Sequence, residues 1–153
     1  MGAIKITPAD VWFSKCIRER NNWTCEYKGT QYPDAQMTKS ALGLHCSHYR
    51  GRGNWAVRFD PMNAFAHSHG SHRLLGSDPV KFQAWVIGQL GQTQYDILIE
   101  SSNCKKRGRE YRKANRGRGK NNALVTHYKT EFQRMCEMRA DGETGRIDFV
   151  AFV

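Results

Sequence analysis

Five of the six histidines in this chain fall between residues 45 and 72: His45, His48, His67, His69 and His72. Imidazoles are the commonest metal ligands in proteins and the natural general bases near neutral pH. Any one of them, taken alone, is better explained as a structural or solvent-facing side chain. Their crowding favours a shared site, in which a turn carrying one histidine, a nearby asparagine and a helix carrying a last histidine converge on one metal ion.

The overall charge indicates a polyanionic partner. The chain carries a net charge of +10 and has a pI of about 9.6. Nucleic acid is the commonest partner of such a protein, and an anionic membrane surface is the second. The length of 153 residues fits one domain, and a hydrophobic content of 39% allows a modest core.

Cysteine usage indicates a reducing compartment, and hydropathy indicates a chain without a membrane span or secretory signal. The five cysteines are odd in number and scattered, which argues against a disulfide scaffold. No apolar run approaches the length of a membrane span, and residues 1–20 lack the apolar stretch of a secretory signal. We therefore expect a cytoplasmic protein, in the host cytoplasm if a phage encodes it, that does not partner a membrane or a small-molecule cofactor.

Capping residues predict where several helices begin. Thr7-Pro8-Ala9-Asp10 starts a helix that should run to about Asn21, and Asp78-Pro79 opens another that ends near Gly91. Further helices are expected over about 64–75, 95–100 and 123–139.

Extended structure is expected in three places. The apolar pieces 44–46 and 55–59, joined by a glycine-rich loop, predict two strands or extended segments. Residues 147–153 are apolar and predict a terminal strand. Residues 23–40 carry glycine, proline and polar residues, and they predict irregular structure.

Three segments around the histidines form a recognisable series: LHCSHY at 44–49, VRFDPMN at 57–63 and SHGSHRLLG at 68–76. This series resembles the HNH endonuclease signature, and it is most similar to phage recombination nucleases of the NinG type. Flanking residues, from about 10 to 100, resemble the same proteins. The resemblance implies an α+β fold: a ββα-metal finger embedded in a mostly helical small domain, with a basic C-terminal helical arm.

The resemblance also implies roles for particular residues. His48 matches the histidine that activates the attacking water, Asn63 the asparagine that fixes the geometry of the finger, and His72 the histidine that holds the divalent metal. Family members often place an acid or histidine next to the water-activating residue as a metal ligand, where this chain has Ser47. His67 or Asp60 is expected to fill that role, with Mg²⁺ or Mn²⁺ as the ion.

Related proteins often hold the finger closed with a zinc ion bound by two Cys-x-x-Cys pairs. In this chain only Cys25 remains of the four ligands, since Lys28, Ser68 and Ser71 occupy the other positions. We therefore expect no zinc in that place, and hydrogen bonding or apolar packing instead of it. An alternative zinc site formed by Cys25, Cys46, His67 and His69 remains open on ligand type.

Basic residues provide candidate contacts to nucleic acid. Arg50, Arg52 and Arg58 flank the histidines, and Arg58 is equally well explained as a structural ion-pair partner. Between 103 and 122 nine Lys or Arg accompany a single acid. A solvated or disordered linker is the alternative to phosphate binding for this stretch. The nine are Lys105, Lys106, Arg107, Arg109, Arg112, Lys113, Arg116, Arg118 and Lys120.

Together these features predict an HNH-like nuclease domain over 1–102, followed by a basic segment, a C-terminal helix and the terminal strand over 103–153. The expected function is metal-dependent hydrolysis of DNA phosphodiester bonds, in phage recombination or in processing branched or replicating DNA. Replication or recombination proteins of host or phage are candidate partners. The alternatives are a catalytically weak or inactive HNH-fold module that binds DNA or a host protein, and a protein that binds or cleaves RNA.

Overall fold

The structure is a computed structural model, and it describes residues 3–33 and 43–153. In that part the chain forms a small, mostly helical α+β fold with one two-stranded antiparallel sheet. The helices and strands, in chain order, are α1 (Pro8–Arg20), β1 (Leu44–His48), β2 (Ala64–Ser68), α2 (His69–Gly76), α3 (Pro79–Leu90), α4 (Gln92–Ser102), α5 (Lys105–Ala114) and α6 (Ala123–Ala140). Short 3₁₀ helices span Pro61–Asn63 and Gly119–Asn121.

Local sequence signals explain several of the helix starts. Thr7 and Asp10 form a reciprocal capping box at the start of α1, in which the Thr7 N–H donates to the Asp10 carboxylate at 2.8 Å. Asp78 accepts a hydrogen bond from the Lys81 N–H at 3.0 Å and so caps α3. Asn122 accepts one from the Val125 N–H at the start of α6.

The hairpin of β1 and β2 is followed directly by α2, so the chain runs strand, strand, helix. Leu44 pairs with Ser68 and His48 pairs with Ala64. Successive side chains of a strand point to opposite faces. One face of the sheet, with Leu44, Cys46, Ala64 and Ala66, joins the main core.

The main core lies between this face of the hairpin and helices α1 and α6. Phe13 packs edge to face against both Tyr128 and Phe149. The Tyr128 hydroxyl donates to the Phe59 carbonyl at 2.6 Å. Residues from 103–153 thus share a hydrophobic core with α1 and the hairpin.

A second, smaller cluster covers the other face of the hairpin. It contains Phe65 from β2, Leu75 from α2, Phe82 and Val86 from α3, and Tyr95 from α4. This cluster fixes α2 and α3 against the strands, and α2 carries His72.

Most of the predicted helices are confirmed, but two predictions of extended structure and the start of one predicted helix were wrong. Residues 55–59 form turns rather than a strand, and the second strand is 64–68, where a helix was expected. The helix after it begins only at His69. Residues 147–153 lie against the core without forming a strand. Of the segment predicted to be irregular, 23–33 contains only turns, a 3₁₀ residue and the isolated bridge of Thr24 with Gln31, and 34–40 lies outside the described residues.

The basic segment is more ordered than a solvated linker would be. Residues 105–114 form α5, and Tyr111 on this helix is buried and donates to the Phe152 carbonyl at 2.9 Å. All five cysteines are free thiols. No helix in the described part is long and apolar enough to cross a membrane.

Candidate active site

An open cavity of about 580 Å³ lies at the end of the hairpin. His48, at the end of β1, and His72, on α2, both line it. Residues of α3 and Tyr95 of α4 complete its wall, and the Tyr95 hydroxyl lies 2.8 Å from that of Tyr49. The fold therefore brings into one cavity two histidines that are separated in sequence by the 3₁₀ helix Pro61–Asn63 and by β2.

His48 is held in a defined orientation. Its Nε2 lies 2.9 Å from the Arg58 carbonyl oxygen, and since a carbonyl only accepts, Nε2 carries the proton. Burial, aided by the charge of Arg52, lowers the pKa of His48 to about 4. The ring is therefore neutral near pH 7, and its Nδ1 carries a lone pair that is buried and has no hydrogen-bond partner among the described residues.

Asn63 is fully buried and fixes the loop that leads out of β1. Its Oδ1 accepts from the Arg50 N–H at 2.8 Å, and its Nδ2 donates to the carbonyls of Arg50 and Val57 at 2.8 and 3.0 Å. All these contacts are to the backbone, so the side chain holds the loop between the strands rather than facing the cavity. The resemblance predicted a geometric role of this kind.

The other two candidate metal ligands lie in different surroundings. His67 is fully buried against Phe65, Phe82 and Trp85, and both its ring nitrogens lack a hydrogen-bond partner in the described part of the chain. Asp60 accepts from Arg107 at 2.9 Å and from the Met62 N–H at 2.9 Å. Neither residue lines the cavity that His48 and His72 share.

His45 lies close to both His69 and His72. The ring of His45, on β1, has its centre 5.6 Å from that of His72 and 5.5 Å from that of His69. The sequence placed all three in the histidine-rich stretch, but only strand pairing, which sequence spacing does not show, brings His45 beside the start of α2.

Cys25, Lys28, Ser68 and Ser71, at the positions where the resemblance places zinc ligands, lie together in the structure. The N–H groups of Ser68 and Lys28 donate to the Cys25 sulfur at 3.2 and 3.4 Å. The hydroxyls of Ser68 and Ser71 lie 3.6 and 3.5 Å from it and 2.9 Å from each other. Burial raises the pKa of the Cys25 thiol, but these hydrogen bonds outweigh it and the pKa lies below its ordinary value.

This hydrogen-bonded junction of Cys25, Ser68 and Ser71 ties the segment after α1 to the start of α2. The alternative zinc set is not assembled, since Cys46 lies in the main core whereas His67 packs in the aromatic cluster on the other face of the hairpin. Among the described residues, no group of three or more His, Cys, Asp or Glu side chains is placed so that it could hold a metal ion.

Of the three arginines that flank the histidines, Arg58 is buried. It makes a two-pronged pair with the Asp10 carboxylate, at 3.0 and 2.7 Å, and donates to the Lys5 carbonyl at 2.8 Å. This places Arg58 in the interior, and we remove it from the candidate phosphate contacts. Arg50 is exposed beside the cavity, and Arg52 is partly exposed.

The basic residues of α5 face solvent beside the 53–56 loop. An open groove of about 670 Å³ runs between them, with Lys105, Arg109 and Arg112 on one side and Trp55 on the other. Arg112 lies over the Trp55 ring at 5.3 Å. Arg107, by contrast, is anchored to the Ala56 carbonyl and to Asp60.

The remaining basic residues that were singled out from the sequence are exposed: Lys106, Lys113, Arg116, Arg118 and Lys120. The chain matches no protein-family model, and comparisons with curated proteins and with solved structures found no match either.

Proposed function

We propose that this protein is a metal-dependent endonuclease of the HNH type that hydrolyses phosphodiester bonds in DNA. The observation that carries the proposal is the cavity lined by both His48 and His72, at the end of a strand–strand–helix unit. A general base and a metal ligand in one cavity are what hydrolysis of a phosphodiester needs. The ββα-metal finger is part of this proposal.

His48 supplies the base. Its Nε2–H donates to the Arg58 carbonyl, so Nδ1 is the nitrogen that takes the proton from a water molecule as the water oxygen bonds to phosphorus, and this step requires water to reach the buried Nδ1. The phosphorus–oxygen bond to the leaving group then breaks, and the leaving oxygen takes a proton from solvent. The backbone hydrogen bonds of Asn63 keep the loop beside His48 in place during this step.

His72 would hold the divalent ion, which supplies charge neutralisation at the phosphate and at the leaving oxygen. The chemistry of the donors fits a metal that accepts nitrogen ligands. No acidic side chain of the described residues lines the cavity, whereas Mg²⁺ prefers oxygen ligands. Mn²⁺ or a later transition ion fits this site better than Mg²⁺.

Positive charge beside the cavity supports DNA as the substrate. Arg50 is exposed at the cavity, and the exposed lysines and arginines of α5 add charge along the 53–56 loop. Contacts from such side chains to phosphates give affinity without sequence preference and weaken with salt. We propose branched or replicating DNA, as processed in phage recombination, as the substrate to test first.

The test is cleavage of supercoiled plasmid and of a branched duplex by the wild type, His48→Ala and His127→Ala, with Mn²⁺, Mg²⁺ or chelator. His127 lies on α6 and bonds to the Val150 carbonyl, so its variant is the matched control. We expect cleavage that needs metal, survives His127→Ala and is lost in His48→Ala. Chelator should abolish cleavage without changing the circular dichroism spectrum.

A DNA-binding module that does not cleave is the second candidate. It is favoured by the burial of His48 Nδ1 and by the lack of acidic residues in the part of the cavity described above. Salt-sensitive binding without cleavage of either substrate under any metal condition would establish this second function and overturn the first.

A further inference from the structure

The groove between α5 and the 53–56 loop has walls that are fixed relative to each other. The Asn54 Nδ2 donates to the Ser102 carbonyl at 2.9 Å, which ties the loop to the end of α4. Gly108 lets α5 pass close to the loop, since even a Cβ at this position would lie 3.5 Å from the Ala56 nitrogen. The groove, of about 670 Å³, is therefore a preformed surface rather than a gap between independent segments.

Trp55 presents its ring to this groove. The side chain is half-buried against the main core, and it lines the groove. Two arginines lie over the ring, Arg58 at 4.5 Å and Arg112 at 5.3 Å from its centre. Arg58 is fixed by Asp10, but Arg112 is exposed and forms no hydrogen bond or ion pair with another described residue. Displacing Arg112 therefore opens the ring to a planar ligand at the cost of one cation–π contact.

Positive charge lies along one side of the groove. Lys105, Arg109 and Arg112 are four and then three residues apart, so they share a face of α5 over about 10 Å. No acidic side chain of the described residues lines the groove. A row of cations next to an aromatic ring suits a single strand of nucleic acid, because the cations follow the phosphates while the ring takes a base.

We propose that the groove binds an unpaired strand of DNA, with one base stacked on Trp55 and neighbouring phosphates held by Lys105, Arg109 and Arg112. Bases in a duplex are stacked on each other, so only an unpaired base can lie on the ring, whereas phosphate contacts serve duplex and single strand alike. The inference deepens the proposed function, since it names the form of DNA that the protein holds. The use of the groove in cleavage rests on that function, but binding does not.

The position of the groove beside the candidate active site supports this occupant. Residues 49–51 line the cavity next to His48, and residues 53–56 line the groove. Only residue 52 separates the two sets, and two residues of chain span at most about 7 Å. A strand held in the groove therefore lies next to the cavity, with the exposed Arg50 near the boundary.

The test is binding of labelled twelve-nucleotide probes, followed by fluorescence anisotropy in the presence of chelator so that no DNA is cut. The probes are a thymidine strand and an abasic strand, which carries the same phosphates without bases. Trp55→Leu removes the ring, and Trp55→Phe keeps an aromatic ring. Trp12→Leu is the matched control, because Trp12 is also half-buried against the main core, has Lys15 over its ring at 4.4 Å and does not line the groove.

We expect the wild type to bind the thymidine strand at least about fivefold more tightly than the abasic strand, which is the lower end of what one stacked base contributes. This preference should disappear in Trp55→Leu and survive in Trp55→Phe and Trp12→Leu. Equal binding of the two strands by the wild type, as in a groove that accepts any polyanion such as an acidic peptide, overturns the proposal. So does an unchanged preference in a folded Trp55→Leu.

A measurement on the wild type keeps the test decisive if Trp55→Leu does not give a native circular dichroism spectrum. A thymidine strand that carries one 5-iodouracil is cross-linked to the protein by ultraviolet light, and the adduct is located by mass spectrometry. We expect the adduct at Trp55, and its absence there overturns the proposal.

Nicking of plasmid by the same proteins separates this inference from the proposed function. If the preference for the thymidine strand needs Trp55 but the wild type cuts no DNA, the groove stands and the nuclease falls. If the wild type nicks DNA and needs His48 to do so, but binds the thymidine and abasic strands equally, the nuclease stands and the groove falls.

Discussion

The buried ion pair of Asp10 with Arg58 and the rings of His48 and His67 differ in how many of their polar atoms are hydrogen-bonded. Asp10 accepts two hydrogen bonds from Arg58 and two from Thr7, and Arg58 donates further to backbone carbonyls. In the two histidines, by contrast, three of the four ring nitrogens have no hydrogen-bond partner among the described residues.

This difference separates an ion pair that maintains the fold from two histidines that keep unpaired ring nitrogens, of which only His48 lines the cavity. Buried polar groups without partners are rare because they cost free energy, and where they persist they often mark functional sites. Asp10 and Arg58 fix the 52–58 loop to α1, and the loop in turn presents the carbonyl that orients His48. The hydrogen-bonded pair of Asp10 and Arg58 therefore positions His48, whose Nδ1 has no hydrogen-bond partner among the described residues.

The largest expected loss of stability comes from breaking the ion pair of Arg58 with Asp10. Arg58→Met keeps an apolar stem against Trp55 but leaves the Asp10 carboxylate buried without its partner. Loss of one member of a buried pair costs about 3–5 kcal/mol, so the free energy of unfolding in urea should fall by that amount.

Arg52→Met is the control for this change. Arg52 lies 3.9 Å from Asp10 and its side chain is 28% exposed, so its loss should cost no more than about 1 kcal/mol. Equal destabilisation by the two variants would contradict the structural role given to Arg58.

The next effect concerns the pH dependence of stability. The pKa of His48 is about 4 in the folded protein against an ordinary value of 6.5, so the unfolded chain binds the proton more readily. Stability should therefore be full above pH 6.5 and fall as the pH drops toward 4, by up to about 3 kcal/mol for a shift of that size.

His48→Gln tests this in urea unfolding curves recorded from pH 7.5 to 4. Glutamine does not titrate and keeps a donor for the Arg58 carbonyl, so the variant should lose less stability on acidification than the wild type. Identical pH profiles for the two proteins would show that His48 is not held neutral by burial.

A smaller effect is expected at the Cys25 junction. Cys25→Ala leaves the N–H groups of Ser68 and Lys28 without their acceptor, which should cost about 1–3 kcal/mol. Cys104→Ala, at an exposed thiol, should have little effect. A Cys25 variant as stable as the wild type in thermal unfolding would mean that the junction contributes nothing to holding α2 in place.

The smallest effect is expected from single charges on α5. Arg109→Gln and Arg112→Gln should each lower the slope of log affinity for duplex DNA against log salt by about 1, if each contacts one phosphate. Arg134→Gln is the control, because Arg134 is paired with Glu131 on α6. A slope that is unchanged in both α5 variants would exclude this groove from the DNA interface.

Capping signals and apolar spacing were enough to predict most of the helices, because those signals are local. Thr7 and Asp78, the two caps identified in the sequence, each bond a backbone N–H within their own first turn. The second strand was missed because all five of its residues are buried, so β2 has no alternation of polar and apolar positions.

The prediction of a strand over 55–59 was wrong for a different reason. Its apolar and aromatic residues favour a strand, but Arg58 is held by Asp10, which is 48 residues away in the chain. No local pattern reveals such a contact. The same limit applies to the site: the resemblance to the HNH signature suggested His48, Asn63 and His72, whereas strand pairing was needed to place His45 beside His69 and His72.

Nicking of supercoiled DNA by the wild type, His48→Gln and His127→Gln in Mn²⁺ tests the central claim most directly, because His48→Gln keeps the hydrogen bond to Arg58 but removes the base. The account predicts nicking by the wild type and by His127→Gln, and loss of nicking in a folded His48→Gln. Wild-type rates in His48→Gln, or no nicking by any of the three proteins, would contradict it.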